Sequence, residues 1–105
     1  MIPERVEKQI IQFGQQFNCI EKIILFGSRA VGDHSDRSDI DLAIVAPKMS
    51  QEEYLALIEK VENELETLLK IDLIKWETAP STLKEEIHKH SFTLFERPKK
   101  DEHQL

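Results

Sequence analysis

Asp39 and Asp41 are separated by a single residue in an apolar run that reads as a strand over residues 39–45. Residues two apart on a strand leave the same face of the sheet. Neighbouring carboxylates repel each other unless a cation lies between them, and hard oxygen ligands of this kind suit Mg²⁺ or Mn²⁺. The pair therefore indicates a divalent-metal site. The alternative is a solvated pair of acids at a sheet edge. The apolar residues of opposite parity, which we expect in the core, are Ile40, Leu42 and Ile44.

Gly27 and Ser28 directly follow an apolar, β-branched run at residues 20–26, and a helical turn is predicted to begin at Arg29. Glycine lets the backbone approach a ligand closely, and the N–H groups of a helix start together with a serine hydroxyl form an anion site. Taken alone, Gly-Ser is an ordinary turn. Chance places Gly-Ser at one fixed distance before Asp-x-Asp in roughly one chain in two thousand of this composition. The combination indicates a site for an NTP–metal complex.

Asp72 supplies a third carboxylate on an otherwise apolar strand predicted over residues 71–76. A lone acid there would be costly if it were buried without a partner. In a metal site it would bind one ion and act as a base toward the incoming hydroxyl. An exposed acid at the end of a strand is the alternative.

The elements that would position these residues follow from hydrophobic spacing and end signals. Helices are predicted over residues 3–17, from a Ser50–Glu53 capping box to about residue 70, and over residues 81–90. A short closing strand is predicted over residues 91–96. The apolar stripe of the central helix is Tyr54, Leu57, Ile58, Val61, Leu65 and Leu68. This order predicts an α/β (α+β) domain with a small mixed sheet flanked by helices.

Length and composition limit the classes of function. The 105 residues fit one domain, predicted over residues 1–97, with a polar tail at 98–105. A net charge of −6 argues against a general nucleic-acid clamp. The single cysteine, Cys19, excludes an internal disulfide and a zinc site built on cysteine pairs. Without a membrane-span or signal-peptide pattern, the cytoplasm is the expected location.

The motif resembles a known signature. The string Leu25-Phe26-Gly27-Ser28-Arg29-Ala30, followed by Ser38-Asp39-Ile40-Asp41-Leu42, places ten residues between Ser28 and Asp39. It is similar to the polymerase-β-type nucleotidyltransferase superfamily, and within it to the minimal nucleotidyltransferase (MNT) family of bacteria and archaea. The resemblance implies a nucleotidyltransferase fold.

The resemblance also implies roles for individual residues. Asp39, Asp41 and Asp72 would be the catalytic carboxylates that hold two Mg²⁺ ions. Gly27 and Ser28 would bind the β- and γ-phosphates of the nucleotide, for which ATP is the expected choice.

Two arginines are further candidates for nucleotide binding. Arg29 occupies a position that is often basic in the family and would steady the triphosphate. Arg37 is a second candidate of the same kind. Either residue could instead be an ordinary surface arginine.

The short chain leaves little material for an acceptor pocket, so we expect the acceptor surface to come from another protein. The resemblance implies a HEPN-domain toxin as partner, with this chain as antitoxin that transfers AMP from ATP to a hydroxyl of the toxin. Two other functions stay open. One is a non-catalytic antitoxin that neutralises its partner by binding, and the other is a standalone transferase for a small molecule. Assembly with itself or with a partner is left open.

Overall fold

A computed structural model describes residues 2–32 and 38–98. The helices are α1 (Glu4–Gln16), α2 (Ser28–Val31), α3 (Gln51–Glu64) and α4 (Ser81–Lys89). The strands are β1 (Lys22–Phe26), β2 (Ile40–Val45), β3 (Ile71–Lys75) and β4 (Phe92–Glu96), with one 3-10 turn at Trp76–Thr78. None of the helices in these two ranges has the length and apolar character that crossing a bilayer requires.

The four strands form one mixed sheet in the order β3-β2-β1-β4. β1 is antiparallel to both β2 and β4, whereas β2 and β3 are parallel. The predicted class, a small mixed sheet flanked by helices, is confirmed. With these directions, the carboxyl end of β1 and the amino ends of β2, β3 and β4 all lie at one end of the sheet. Phe26, Asp41 and Asp72 are register neighbours there, and we call it the acidic end.

One face of the sheet carries the larger core, because α1 and α3 pack against it. The β2 residues Ile40, Leu42 and Ile44 lie in this core and are almost fully buried, as their parity predicts. Each such side chain contributes roughly 1.5–3 kcal/mol through burial. The helices contribute Val6, Ile10, Phe13, Leu57 and Val61.

The opposite face carries a smaller apolar cluster under α4. Phe26, Ala43 and Ile87 are buried in it, and Ile74 and Trp76 pack at its margin. Asp41 has the same parity as Ala43 along β2. Asp41 and its register neighbour Asp72 therefore share a face with this smaller cluster, and both are half-buried.

The prediction that the central helix runs to about residue 70 is wrong, since α3 ends at Glu64. The capping box at its start is confirmed, with Ser50 and Glu53 exchanging both side-chain to main-chain hydrogen bonds. Because β3 pairs in parallel with β2, the chain must return to the amino end of β2 before β3 begins. A helix that continued past Glu64 would not bring the chain to that point. Leu65 still fills the core from an extended backbone, whereas Leu68 is fully exposed.

Arg97 fastens the last strand to the first helix. Its guanidinium donates hydrogen bonds to the carbonyls of Ile20 at 3.0 Å, Gly14 at 2.5 Å and Phe17 at 3.3 Å. The last carbonyls of a helix lack partners within it, and α1 has no basic residue in its own last turn. Arg97 thus supplies the missing C-terminal cap of α1 from a distant part of the chain.

Candidate active site

The sheet register places two of the three candidate carboxylates side by side. Asp41 on β2 is the direct partner of Asp72 on the parallel strand β3, and Phe26 on β1 is its partner on the other side. Neighbouring strands lie about 4.8 Å apart, so the two aspartates project from one face as immediate neighbours. Sequence parity predicts that Asp41 faces away from the main core. Only the pairing of β2 with β3 brings Asp72 to it.

The pKa of Asp41 lies above its ordinary value of 3.8, and the first cause is burial, which disfavours the charged carboxylate. The negative charges of Asp72 and Asp39 raise the pKa further, and so does a side-chain hydrogen bond with Asp72. Two carboxyl groups can share a hydrogen bond only when one of them holds a proton. The acidic end of the sheet therefore disfavours full ionisation in the absence of a cation.

Asp39 lies just before β2 rather than on it, and it is exposed. It is close enough for its charge to act on Asp41. Within residues 2–32 and 38–98, no three or more His, Cys, Asp or Glu side chains are already grouped as a metal site. The donor chemistry nevertheless fits Mg²⁺. Asp41 and Asp72 are hard oxygen ligands whose mutual repulsion a divalent ion would relieve.

Gly27 lies directly against the Asp41 carboxylate. Its backbone has φ +79°, which L side chains rarely adopt, and a Cβ atom there would collide with Oδ2 of Asp41 and lie 3.1 Å from its Cγ. The main chain between β1 and α2 therefore passes close to the acidic pair only because residue 27 has no side chain. Ser28 follows as the first residue of α2 and is partly buried. This arrangement places Gly27, a predicted phosphate-binding residue, directly against Asp41, a predicted metal ligand.

Arg29 is buried, with 4% of its surface exposed, and its Nε donates a hydrogen bond of 3.0 Å to the Ser38 carbonyl. The side chain thus connects α2 to the residue that precedes Asp39. This contact gives Arg29 a role in positioning the site that its sequence position did not reveal. Its predicted contact with the triphosphate stays a prediction. Arg37, the second predicted arginine, lies outside the described residues.

Lys70 is a member of the site that the sequence analysis did not identify. Its Nζ lies 3.7 Å from Oδ1 of Asp72, and its main-chain carbonyl accepts the hydrogen bond from Ile40 that opens the β2–β3 pairing. The charge of Lys70 also opposes the rise in the pKa of Asp41. The sequence could have indicated Lys70 as a site residue, because Lys70 and Asp72 are two residues apart and share a face. Lys70 therefore places an exposed cation beside the acids of the site.

Comparison with known protein families identifies one match. The sequence profile described as polymerase beta, nucleotidyltransferase, matches residues 8–100. That range includes the three candidate carboxylates Asp39, Asp41 and Asp72 as well as Gly27 and Ser28. No curated protein has a sequence that matches the chain significantly.

Several solved structures have a similar fold. A toxin–antitoxin complex with AMP-PNP has a chain that is 25% identical, with a TM-score of 0.70, over 87% of this chain and 73% of the other. A complex of a tri-AMPylated HEPN toxin with an MNT antitoxin, from Shewanella oneidensis, gives 22% identity and a TM-score of 0.65, over 88% and 71% of the two chains. The toxin–antitoxin complex MntA–HepT gives 22% and 0.67, over 90% and 74%. The predicted nucleotidyltransferase fold is confirmed.

Proposed function

The chain belongs to the polymerase beta nucleotidyltransferase family, and from this premise we propose that it transfers AMP from ATP to a hydroxyl of a HEPN-domain partner protein. The observation that carries the proposal is the Asp41–Asp72 pair on adjacent strands with Gly27 packed against it. A HEPN partner is supported by the similar solved complexes, which include an AMPylated HEPN toxin with its MNT antitoxin. We also propose that the protein is located in the cytoplasm and that its nucleotidyltransferase domain spans residues 1–97.

The proposed binding roles divide the site in two. Gly27 and Ser28 hold the β- and γ-phosphates through main-chain N–H groups and the serine hydroxyl, and Arg29 steadies the triphosphate. Asp39, Asp41 and Asp72 would hold two Mg²⁺ ions. The sheet fixes the positions of Asp41 and Asp72, and Asp39 lies just before β2. Bound Mg²⁺ would neutralise phosphate charge and stabilise the oxygens that attack and leave.

The reaction is a single in-line displacement. The acceptor oxygen forms a bond to the α-phosphorus, and the bond between that phosphorus and the bridging oxygen breaks, so pyrophosphate leaves. Asp72 takes the hydroxyl proton, because it lies on an edge strand with its side chain 41% exposed and can reach an incoming group. Lys70 lies beside it, with its Nζ 3.7 Å from Oδ1 of Asp72. The contribution of the protein is mainly positioning and electrostatic preorganisation.

Labelled nucleotide tests the proposal directly. The chain and Mg²⁺ are incubated with a purified HEPN-domain protein and with ATP labelled at either the α- or the γ-phosphate. Transfer of AMP predicts label on the partner from α-labelled ATP only. Asp39→Asn, Asp41→Asn and Asp72→Asn should each reduce the rate at least about 100-fold, as loss of a preorganised electrostatic contact does. Glu62→Gln, on the exposed face of α3, is the matched control and should retain the rate.

The outcomes separate the competing functions. A stable complex that never carries label would support a non-catalytic antitoxin. Label on a small-molecule hydroxyl, with none on the protein, would support a standalone transferase. Transfer that survives all three Asp→Asn changes would overturn the assignment of the acids.

A further inference from the structure

Lys70 combines a fixed main chain with an exposed side chain. Its carbonyl accepts a hydrogen bond of 2.9 Å from the N–H of Ile40, a residue that is completely buried in the larger core. The side chain of Lys70 is 70% exposed, and a lysine carries its ammonium on a long, flexible aliphatic stem. The cation is therefore tethered to the acidic end of the sheet but can change its position there.

The ammonium of Lys70 is only loosely paired. Its Nζ lies 3.7 Å from Oδ1 of Asp72, whereas a charge-assisted N–H···O hydrogen bond measures about 2.7–2.9 Å. The side chain of Asp72 is also partly exposed, and exposed ion pairs of this kind contribute little to stability. The charge of Lys70 nevertheless reaches Asp41 as well, because it opposes the rise in the pKa of that carboxyl. One weakly held cation thus acts on both acids of the register pair.

A divalent ion and Lys70 would compete for this pair of acids. Asp41 and Asp72 are direct partners in the register of β2 and β3, and a nearby positive charge relieves their repulsion. A metal ion bound to the carboxylate of Asp72 would lie within a few ångströms of the ammonium, and cations at such a distance repel each other. The long side chain of Lys70 can relieve this repulsion by moving its ammonium into water. The two acids therefore attract either cation, and the presence of one disfavours the other.

We propose that Lys70 is a tethered counter-ion, which offsets the repulsion between Asp41 and Asp72 while no metal is bound and is displaced when a divalent ion binds. The inference rests on the proposed function, because it takes these two acids to be metal ligands. Lys70 then lowers the affinity of the site for the free ion. A nucleotide triphosphate brings its own negative charge, so the site binds the ion together with the triphosphate better than the ion alone.

Lys70→Met tests the counter-ion, because it removes the charge and keeps a long, flexible side chain. Mn²⁺ alone is titrated into each protein, and the free ion is measured by electron paramagnetic resonance. At about 0.01 M ionic strength the variant should bind Mn²⁺ on the order of 5-fold more tightly than wild type, because it lacks the repulsion between a single and a double positive charge in water. At about 1 M ionic strength, where the screening length is about 3 Å, the difference should largely disappear.

Two further variants serve as controls for the Mn²⁺ titration. Lys70→Arg keeps the charge and should retain the wild-type affinity. Lys8→Met makes the same change in net charge at an equally exposed lysine, which pairs with Glu4 on α1 rather than with the acids of the site. It should also retain the wild-type affinity.

Thermal unfolding separates a counter-ion from a residue with a purely structural role. Without divalent metal, Lys70→Met should melt below wild type by about 4 °C, the shift that a roughly 5-fold change in an equilibrium constant gives in a domain of this size. With saturating Mg²⁺ the two proteins should melt at the same temperature, because the ammonium has already left the acids. A purely structural role would lower both melting temperatures by the same amount, and that result would overturn the proposal.

The outcomes of the Mn²⁺ titration distinguish this inference from the proposed function. Equal or weaker binding by Lys70→Met, together with loss of binding in Asp41→Asn, would overturn the counter-ion and leave the metal site in place. Binding that Asp41→Asn does not change would overturn the metal site itself, and the counter-ion with it. Tighter binding by Lys70→Met that Asp41→Asn abolishes would support both.

Discussion

Replacing Asp41 by asparagine should stabilise the metal-free protein at neutral pH while it abolishes transfer. Asp41 is flanked by Asp72 in the register of the sheet, and Asp39 adds a further negative charge. Asparagine is nearly the same size and removes the charge, so the repulsion disappears without a cavity. A residue that destabilises the fold in this way is retained for function rather than for structure.

The magnitude follows from the geometry of the sheet. Two unit charges about 5 Å apart repel by roughly 0.8 kcal/mol in water and roughly 3 kcal/mol at an effective dielectric constant of 20. Like charges directly opposite each other in a sheet cost about 0.2–1 kcal/mol. Because the side chain of Asp72 is 41% exposed, the lower range applies, and we expect Asp41→Asn to gain about 1 kcal/mol. In a domain of this size that raises the melting temperature by about 4–8 °C.

The gain should depend on pH. The pKa of Asp41 is raised in the folded protein, first by burial and then by its acidic neighbours, so the folded state binds this proton more tightly than the unfolded chain. Wild-type stability therefore falls relative to the variant as pH rises through the ordinary value of 3.8 and the higher folded value. Denaturant unfolding of both proteins at several pH values should give a difference that is smallest at the acidic limit and full at pH 7.

Magnesium provides the second half of the test. An ion that binds the folded wild type stabilises it by about 1.4 kcal/mol at ten times its dissociation constant, whereas Asp41→Asn should gain much less. If the variant is no more stable than wild type at pH 7 without metal, the repulsion inferred from the register is wrong. Equal stabilisation of both proteins by Mg²⁺ would place the ion elsewhere.

Two further predictions concern backbone and packing. Gly27→Ala should lower the free energy of unfolding by at least about 2 kcal/mol and abolish transfer, because it adds a collision with Asp41 to the strain of a positive φ. Gly32 has φ +80°, and a Cβ there meets nothing within 4 Å. Gly32→Ala should therefore lower the free energy of unfolding only by the backbone strain, about 1 kcal/mol. Equal losses in urea unfolding would show that the close approach is unimportant. Arg97→Ala should lower the free energy of unfolding by about 2–3 kcal/mol through three lost contacts to the carbonyls of Gly14 in α1, Phe17 at its end and Ile20 in the segment after it. Lys8→Ala, in an exposed pair, should change it by less than about 0.5 kcal/mol. Similar values for both would contradict the capping role of Arg97.

The parity of β2 could be predicted from the sequence because alternation along a strand is a local property. Ile40, Leu42 and Ile44 alternate with the acids, and the structure buries all three. The partner of Asp41 could not be predicted in this way. It depends on β3 pairing with β2 in parallel at one register, which is set by the length of α3 and the turn after it.

The end of α3 shows where periodicity misleads. Leu65 and Leu68 continue the helical spacing of Leu57 and Val61, yet the helix stops at Glu64. Leu65 is apolar because it enters the core from an extended segment. Leu68 is fully exposed and contributes nothing to the core, although its spacing continues the apolar stripe.

The positioning role of Arg29 was beyond local reasoning, because its buried hydrogen bond to Ser38 spans a connecting segment that only the folded chain brings back to α2. Lys70 differs, because it lies two residues from Asp72 and its place beside that carboxylate follows from local spacing. Motif spacing can indicate which groups bind a nucleotide, but the residues that position those groups depend on the fold.

A crystal structure of the chain with Mn²⁺ and a non-hydrolysable ATP analogue is the most direct test of the proposed site. Anomalous scattering would locate the ions without assumptions about their ligands. We predict ions bound by oxygens of Asp39, Asp41 and Asp72, with the terminal phosphates against Gly27 and Ser28. Ions or phosphates bound away from these residues, or Asp72 directed away from the nucleotide, would contradict the account.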